Sequence, residues 1–233
     1  MGLFQKSYPP EIAARVPPGQ RLVKTWPVLH YGPVPKFDGA NWDVEVSGLV
    51  ENPFTLSLEE LKALPNVTVD ADMHCVTGWT TLDNTWEGVS FKTILERAKP
   101  TPEAAWVIAH GANGYTSDLS LEAMDGDDVL LAWRNHGEDL TPDHGWPLRL
   151  VVPKRYAWKS AKWLTGLEFT AKNVRGFWEV RGYHVHAEPF AEERYSYQEG
   201  PRPSSSRRSG PSPHAMYRVI VSPAWTMLPA VGD

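Results

Sequence analysis

Twenty-one prolines spread over 233 residues cut this sequence into segments too short for long helices. A proline inside a helix removes a backbone donor and clashes with the preceding turn, so each one ends or bends a helical run. Between the prolines, apolar residues recur mostly at every second position, the period of a half-buried strand. Trp42, Val44 and Val46 alternate with Asp43, Glu45 and Ser47 and stop at Gly48. Val67 and Val69 mark one face of a strand over 66–71, which delivers the chain to His74-Cys75. Further strands are predicted over 105–109, 116–121 and 129–133, and a strand pair over 148–152 and 163–169. Asn135-His136-Gly137-Glu138 reads as a hairpin turn, His110 to Tyr115 as a glycine-punctuated loop, and 77–88 as a loop carrying Trp79 and Trp86. Helices are few and short. Ser57-Leu58-Glu59-Glu60 is a capping box opening one that stops at Pro65, and Ser90 caps another over 91–98. The class is α+β, with mixed β-sheets and short helices.

Residues 1–35 hold seven prolines and little pattern, and read as an extended N-terminal arm. A domain over 36–190 follows, then a Pro/Ser-rich C-terminal extension over 191–233. Within that extension, Met216 to Val221 is a short apolar run that either docks as an edge strand or mediates self-association. The formal charge of −5 gives no general pull toward nucleic acid or anionic lipid. No apolar run reaches the roughly 18 residues of a membrane span. Charges and prolines occupy Met1 to Arg21, where a signal peptide needs an apolar stretch, and no twin arginine is present, so a cytoplasmic location is expected.

Cys75 is the only cysteine, and it stands in Met73-His74-Cys75-Val76-Thr77-Gly78-Trp79. Such a thiol is a buried apolar group, the nucleophile of a covalent mechanism, or a thiolate ligand to a soft metal. His74 is adjacent, but in an extended backbone it points to the opposite face, so a nucleophile here needs a more distant histidine as its base. A second feature is basic. Arg149, Lys154, Arg155, Lys159 and Lys162 fall within fourteen positions. Lys159 and Lys162, with Ser160 between them, can converge on one anion; the alternative is a solvated basic loop. Neither GxxxxGK[ST] nor GxGxxG after a strand is present, which argues against a nucleotide loop. CxxC and HExxH are absent too, and His184 with His186 forms a lone HxH. Eleven tryptophans supply flat surface for a β-rich core or for the walls of a planar ligand's pocket. Trp79, Trp86 and Tyr115 are candidate walls.

Three segments in order, Met73 to Trp79, His144-Gly145-Trp146-Pro147-Leu148-Arg149 running on to Pro153, and Lys159-Ser160-Ala161-Lys162-Trp163-Leu164, resemble the molybdopterin-binding domain of the sulfite oxidase family. The likeness is greatest to its small bacterial members, among them the methionine sulfoxide reductase catalytic subunits, and covers roughly Trp26 to Trp178. It implies the sulfite-oxidase-type fold for 36–190 and a mononuclear molybdenum–molybdopterin cofactor. By the same resemblance Cys75 is the catalytic residue and the metal ligand. His144 and Arg149 hold the pterin, and Lys159, Ser160, Ala161 and Lys162 form the phosphate-holding segment. His30, Tyr31 and Gly32 in the arm, together with His74 and His110, complete the implied cofactor-binding set.

Sulfite oxidases carry basic residues soon after the metal cysteine, whereas Val76-Thr77-Gly78-Trp79 has none. A neutral or weakly charged oxo-acceptor is therefore expected over sulfite. Neither a haem-binding domain nor the family's usual C-terminal dimerisation domain is expected, since 55 residues follow Trp178. The expected activity is two-electron oxygen-atom transfer on a small sulfoxide, N-oxide or sulfite-like substrate, with an unknown electron-transfer partner. Nucleic acid and membrane are not expected partners, and the oligomeric state stays open. The alternatives are a catalytically inactive molybdopterin-binding protein and a hydrolase using Cys75 as its nucleophile.

Overall fold

A computed structural model describes residues 8–38, 41–200 and 218–221, the last four through their backbone. In chain order its elements are α1 (Pro10–Ala13), β1 (Arg21–Leu22), β2 (Asp43–Gly48), β3 (Phe54–Ser57), α2 (Leu58–Lys62), β4 (Asn66–Cys75), β5 (Trp79–Ser90) and α3 (Phe91–Ala98). There follow β6 (Trp106–Gly111), β7 (Tyr115–Ser120), α4 (Leu121–Met124), β8 (Leu130–Asn135), β9 (Glu138–Asp139), β10 (Arg149–Val151), β11 (Leu164–Thr170) and β12 (Arg218–Val221). The expected α+β class with mixed sheets holds.

The strands form two sheets. The larger, seven-stranded one runs β10-β8-β5-β4-β12, with β1 beside β5 and β9 beside β8; the five-stranded one runs β3-β2-β11-β6-β7. All pairings are antiparallel except β1 with β5 and β11 with β2. Burial on β2 alternates as its sequence does, with Val44 and Val46 inside. The capping box forms as read: Ser57 accepts from the Glu60 backbone N–H, and Glu60 accepts from that of Ser57. The β8–β9 hairpin turns on His136 and Gly137, both at positive φ (52° and 77°), the conformation this tight turn requires.

Two expectations fail. The segment 77–88 is no loop, since β5 occupies Trp79–Ser90 and pairs with β4 through Cys75↔Trp79. Its polar interior, Thr80-Thr81 to Asp83-Asn84-Thr85, hides the period. The register slips between Ala71 and Met73 on its partner, and Asn84 is buried by donating to the Ala71 and Thr81 carbonyls. The predicted strand pair also separates: β10 pairs with β8 in the large sheet, and β11 with β2 and β6 in the small one.

The large sheet is covered on both faces. Leu131, Trp133 and Val89 join a core that also draws on Val44, Val107 and Phe169 of the small sheet. Leu130, Ala132, Val69 and Trp86 belong to a second cluster on the opposite face, which ends at Met73 and Cys75. A strand buried on both faces shows an unbroken apolar run, which is why 129–133 reads Val-Leu-Leu-Ala-Trp. Each such fully buried leucine contributes roughly 1.5–3 kcal/mol.

The arm is strapped to the β4–β5 hairpin. Arg15 makes a two-pronged ion pair with Asp72 (2.9 and 2.6 Å) and reaches Asp83 at 2.6 Å. At the other end of the sequence, β12 pairs with β4 in the register Arg218↔Asp70 to Val221↔Val67, the edge-strand outcome for the apolar run near 216–221. Met216 and Tyr217 lie outside the described residues. Among the described residues no helix is long and apolar enough to cross a membrane.

Candidate active site

Cys75 ends β4 at a three-residue turn. Gly78 takes φ of 91°, a conformation costly for residues with a Cβ, and its N–H returns to the Cys75 carbonyl at 2.9 Å. The arm fastens this turn from one side through Arg21 N–H to the Gly78 carbonyl (3.1 Å). From the other side Arg194 donates to the Val76 carbonyl at 2.5 Å. The sulfur is therefore fixed by backbone rather than by side-chain packing alone. It lies 3.2 Å from Thr77 Oγ1 and borders a cleft of about 300 Å³, a volume fit for a cofactor or small ligand. Burial raises the thiol pKa, outweighing the Thr77 contacts and the charge of Arg194. An activated cysteine nucleophile needs the opposite shift.

His74 faces away, as the strand period requires. Its Nδ1 lies 3.0 Å from Thr80 Oγ1, which donates to Gln20 Oε1 at 2.6 Å, and its ring meets Phe190 edge-on. His74, implied as a cofactor contact, is not among the residues that line the cleft.

The cationic end of the cleft is built by the turn before β10 and the loop before β11. Gly145, at φ 110°, lets the two approach: a Cβ there would lie 3.1 Å from Arg149 Cβ and 3.2 Å from Lys162 Cβ. Arg149 is 2 % exposed, donates to the carbonyls of His144 (2.9 Å) and Ser160 (3.2 Å), and has its guanidinium over the rings of Trp26 and Trp86. Burial lowers its pKa to about 9. Lys162 donates to the Asp143 carbonyl at 2.6 Å, and burial, then the charge of Arg149, lowers it to about 7. His144 stacks on Trp26 at 4.3 Å, and burial with both neighbouring cations brings it down to about 4, so it is neutral at pH 7. Among the described residues neither Arg149 nor Lys162 has a carboxylate ion-pair partner within 4.0 Å. Two clustered cations that lack such a counter-charge form an anion site.

Lys159 does not converge with Lys162. Its ammonium is buried on the other side of the loop, 2.8 Å from Asp118 Oδ1 and 2.5 Å from Glu179 Oε1. A buried ammonium takes the nearest carboxylates, and these are 41 and 20 residues away in sequence, beyond the reach of local reading. Ser160 and Ala161 do line the cleft; the Ser160 hydroxyl accepts from Val152 N–H and keeps its own proton to donate. His110 is elsewhere, 3.0 Å from Glu168 on the small sheet. In the arm, His30 and Tyr31 line the cleft, while Gly32 does not; its carbonyl lies 2.9 Å from His30 Nδ1 and so helps orient that ring. His184 and His186 make no metal pair either: His184 Nδ1 accepts from the backbone N–H groups of His186 and Ala187.

The walls are aromatic. Trp79 and Tyr115 line the cleft, whereas Trp86 is wholly buried beneath Arg149. Sequence reading missed Asn113, Trp158, Trp178 and Tyr183, which also line it. Asn113 anchors the arm through the Pro33 carbonyl, and Tyr115 donates to the Trp158 carbonyl. The Tyr183 phenol, raised in pKa by burial, then by Tyr195 and Cys75, stays protonated at neutral pH. Only its neighbourhood to Cys75, 108 positions away, would have marked it, and no local pattern carries that.

Among the described residues no cluster of three His, Cys, Asp or Glu could hold a metal by itself. The cleft instead offers one soft thiol and two cations, and among the described residues three N–H groups of the side chains that line it, Arg149 Nε, Trp79 Nε1 and Trp158 Nε1, are buried without a partner. A ligand answering the thiol and the cations brings its own metal donors and an anionic group. A phosphorylated, sulfur-bearing pterin that carries a metal meets that description.

Comparison with known proteins agrees. Residues 31–178 match the family described as oxidoreductase molybdopterin binding domain. The oxidoreductase YuiH of Bacillus subtilis is 45% identical over 195 residues, covering 83% of this chain and 98% of that protein. The protein-methionine-sulfoxide reductase catalytic subunit MsrP of Campylobacter jejuni is 30% identical over 160 residues, 61% of this chain and 54% of that one. Among solved structures, the sulfane dehydrogenase SoxCD from Paracoccus pantotrophus superposes with a TM-score of 0.56 at 28% identity, covering 62% of this chain and 42% of that one.

Proposed function

This chain belongs to the oxidoreductase molybdopterin-binding domain family, with molybdenum–molybdopterin as its cofactor, and from that premise we propose that it reduces a small, uncharged sulfoxide by oxygen-atom transfer. The observation that carries the reading is that Cys75 and the Arg149–Lys162 pair border one cleft. The sulfoxide direction draws support from the methionine sulfoxide reductase relative MsrP and from the uncharged stretch Val76-Thr77-Gly78-Trp79. In balance, a sulfoxide, two protons and two electrons give a sulfide and water, the electrons coming from a separate one-electron carrier.

When bound, the cofactor supplies a two-electron metal couple and the oxygen-accepting position. The chain's own part is binding and placement. Cys75 would supply a thiolate to the metal, and because burial keeps this thiol protonated, loading would release a proton. Arg149 and Lys162 would hold the phosphate, with the Ser160 hydroxyl as a further donor, and neutral His144 stacked on Trp26 would hold the pterin. Tyr183, in the cleft wall and protonated at neutral pH, would offer its phenolic proton to an oxygen held there. Tyr31, Trp158 and Trp178 exclude water from the substrate side.

The test is metal analysis followed by turnover. Purified protein is expected to carry about one molybdenum per chain, lost in Cys75→Ser, and to reduce dimethyl sulfoxide with reduced methyl viologen. Molybdenum without turnover of any sulfoxide or N-oxide would leave a binding protein. Esterase activity abolished by Cys75→Ser in metal-free protein would replace this reading with the hydrolase.

A further inference from the structure

The aromatic lining does not stop at the mouth of the cleft. Trp158 and Trp178, both in the wall, contact the Tyr183 ring at 5.8 and 5.4 Å. Tyr183 meets Tyr195 at 5.8 Å, and Tyr195 stacks on Tyr197 at 5.6 Å with 17° between the planes. Exposure climbs along this ladder: Tyr195 is 43 % exposed and Tyr197 83 %. Two stacked rings held in water forgo the burial that aromatic side chains ordinarily gain.

The turn that carries them is preformed. Gln198 Oε1 accepts from the N–H groups of Arg194 and Tyr195, Gln198 Nε2 donates to the Glu192 carbonyl, and a backbone bridge joins Tyr195 to Tyr183. These bonds use up backbone groups of the turn, so ring faces, rather than a strand edge, are what it offers a ligand. A polypeptide adding as a strand finds little to pair with. A flat ring finds a surface already set at stacking distance.

We propose that Tyr195 and Tyr197 form the distal part of the substrate site and select substrates that carry an aryl group on a short tether from the reacting atom. The tether runs past Tyr183 while the reacting end lies on the Cys75 side of the cleft. This rests on the oxygen-transfer reading above for the chemistry, and on the ladder alone for the preference. Each aromatic contact is expected to be worth roughly two- to tenfold in affinity.

The experiment compares 4-phenylbutyl methyl sulfoxide with butyl methyl sulfoxide, on the holoenzyme and on a Tyr195→Leu, Tyr197→Leu double variant. A Tyr195→Phe, Tyr197→Phe pair controls for loss of the hydroxyls. KM and kcat are read with reduced methyl viologen, and Kd by ligand-observed saturation transfer without reductant. The leucine pair is expected to raise KM and Kd for the phenyl substrate at least fivefold. It should leave kcat, and both constants for the butyl substrate, within twofold of wild type, and the phenylalanine pair should match wild type. Equal shifts for both sulfoxides, or no shift for either, overturn the proposal. Should neither sulfoxide turn over, the oxygen-transfer reading falls. The Kd ratio then decides the ladder by itself: a phenyl preference lost in the leucine pair upholds it, and no preference overturns it.

Discussion

The ammonium of Lys159 sits 2.5 Å from Glu179 Oε1, with side-chain exposures of 1 % and 0 %. This contact ties the loop that carries Ser160 and Lys162 to the short helical turn that follows Trp178 and precedes Tyr183, so the anion end and the aromatic wall share one anchor. Asp118 is the second carboxylate: against the cost of burial, its bonds with Glu179, Lys159 and Asn173 hold its pKa down, while burial and Asp118 push Glu179 up to about 8. Removing the cation leaves the ionised Asp118 buried without its ammonium. Lys159→Met is therefore expected to destabilise the fold by about 3–5 kcal/mol in urea unfolding. Lys162→Met, which removes a half-buried lysine with no carboxylate partner among the described residues, should change stability by less than about 1 kcal/mol. Equal losses for the two would contradict the division of roles between them.

Arg15 belongs to the arm, yet its best partner is Asp72, 57 residues on and 6 % exposed. Arg15→Ala leaves that carboxylate without its two-pronged partner, at a cost of about 1–3 kcal/mol. The local consequence is the sharper one. Amide exchange over residues 8–23 should accelerate, and with it exchange at Gly78, whose carbonyl the arm's Arg21 holds. Unchanged protection there would mean that the strand pairing of Arg21 and Leu22 suffices without the ion pair.

Much of this molecule is legible locally, and the exceptions share a cause. Ser57 and Glu60 announce a helix start because both partners lie within four residues. Val44 and Val46 announce a strand because one face meets core and the other water. Trp79 to Ser90 defeats that reading since its polar residues bond inward, Asn84 to the Ala71 carbonyl for example. Cys75, Arg149 and Lys162 each stand in a recognisable local segment, and all three border the cleft. Lys159 looked like their equal from the sequence. Only the fold brings Asp118 and Glu179 to it, and Tyr183 to the neighbourhood of Cys75.

Cys75 in cofactor-free protein should be a sluggish nucleophile. Burial raises its pKa, so the protonated thiol persists at pH values where a free thiol, near about 8.5, already ionises. The rate of iodoacetamide alkylation against pH should have its midpoint above that of a small-molecule thiol measured alongside. The sign for stability follows. The folded state keeps a proton that the unfolded chain loses, so cofactor-free protein is expected to lose stability as pH rises from the unfolded thiol's pKa through the folded one. A midpoint below about 8 would restore the covalent-nucleophile reading.

Lys162 gives the opposite sign and tests the anion site directly. Its pKa is about 7, because burial and Arg149 disfavour its charge. Between that value and the unfolded lysine's, about 10.4, the unfolded chain binds the extra proton, so stability conferred by this group rises with pH across the window. An anion in the cleft reverses the preference by favouring the charged ammonium. Sulfate serves as the probe, since its own charge is constant over this range. Arg149, at about 9, stays mostly charged up to pH 8.5, and His144, at about 4, stays neutral above pH 6, so neither supplies the main slope. Sulfate should bind cofactor-free protein roughly tenfold more tightly at pH 6 than at pH 8.5, the equivalent of about one pKa unit of coupling. Lys162→Gln should weaken binding at pH 6 and flatten the dependence. Calorimetric titration at the two pH values reads both effects. A slope of the same size in the glutamine variant would move the anion's proton-linked partner away from Lys162 and leave Arg149 as the principal holder of the phosphate.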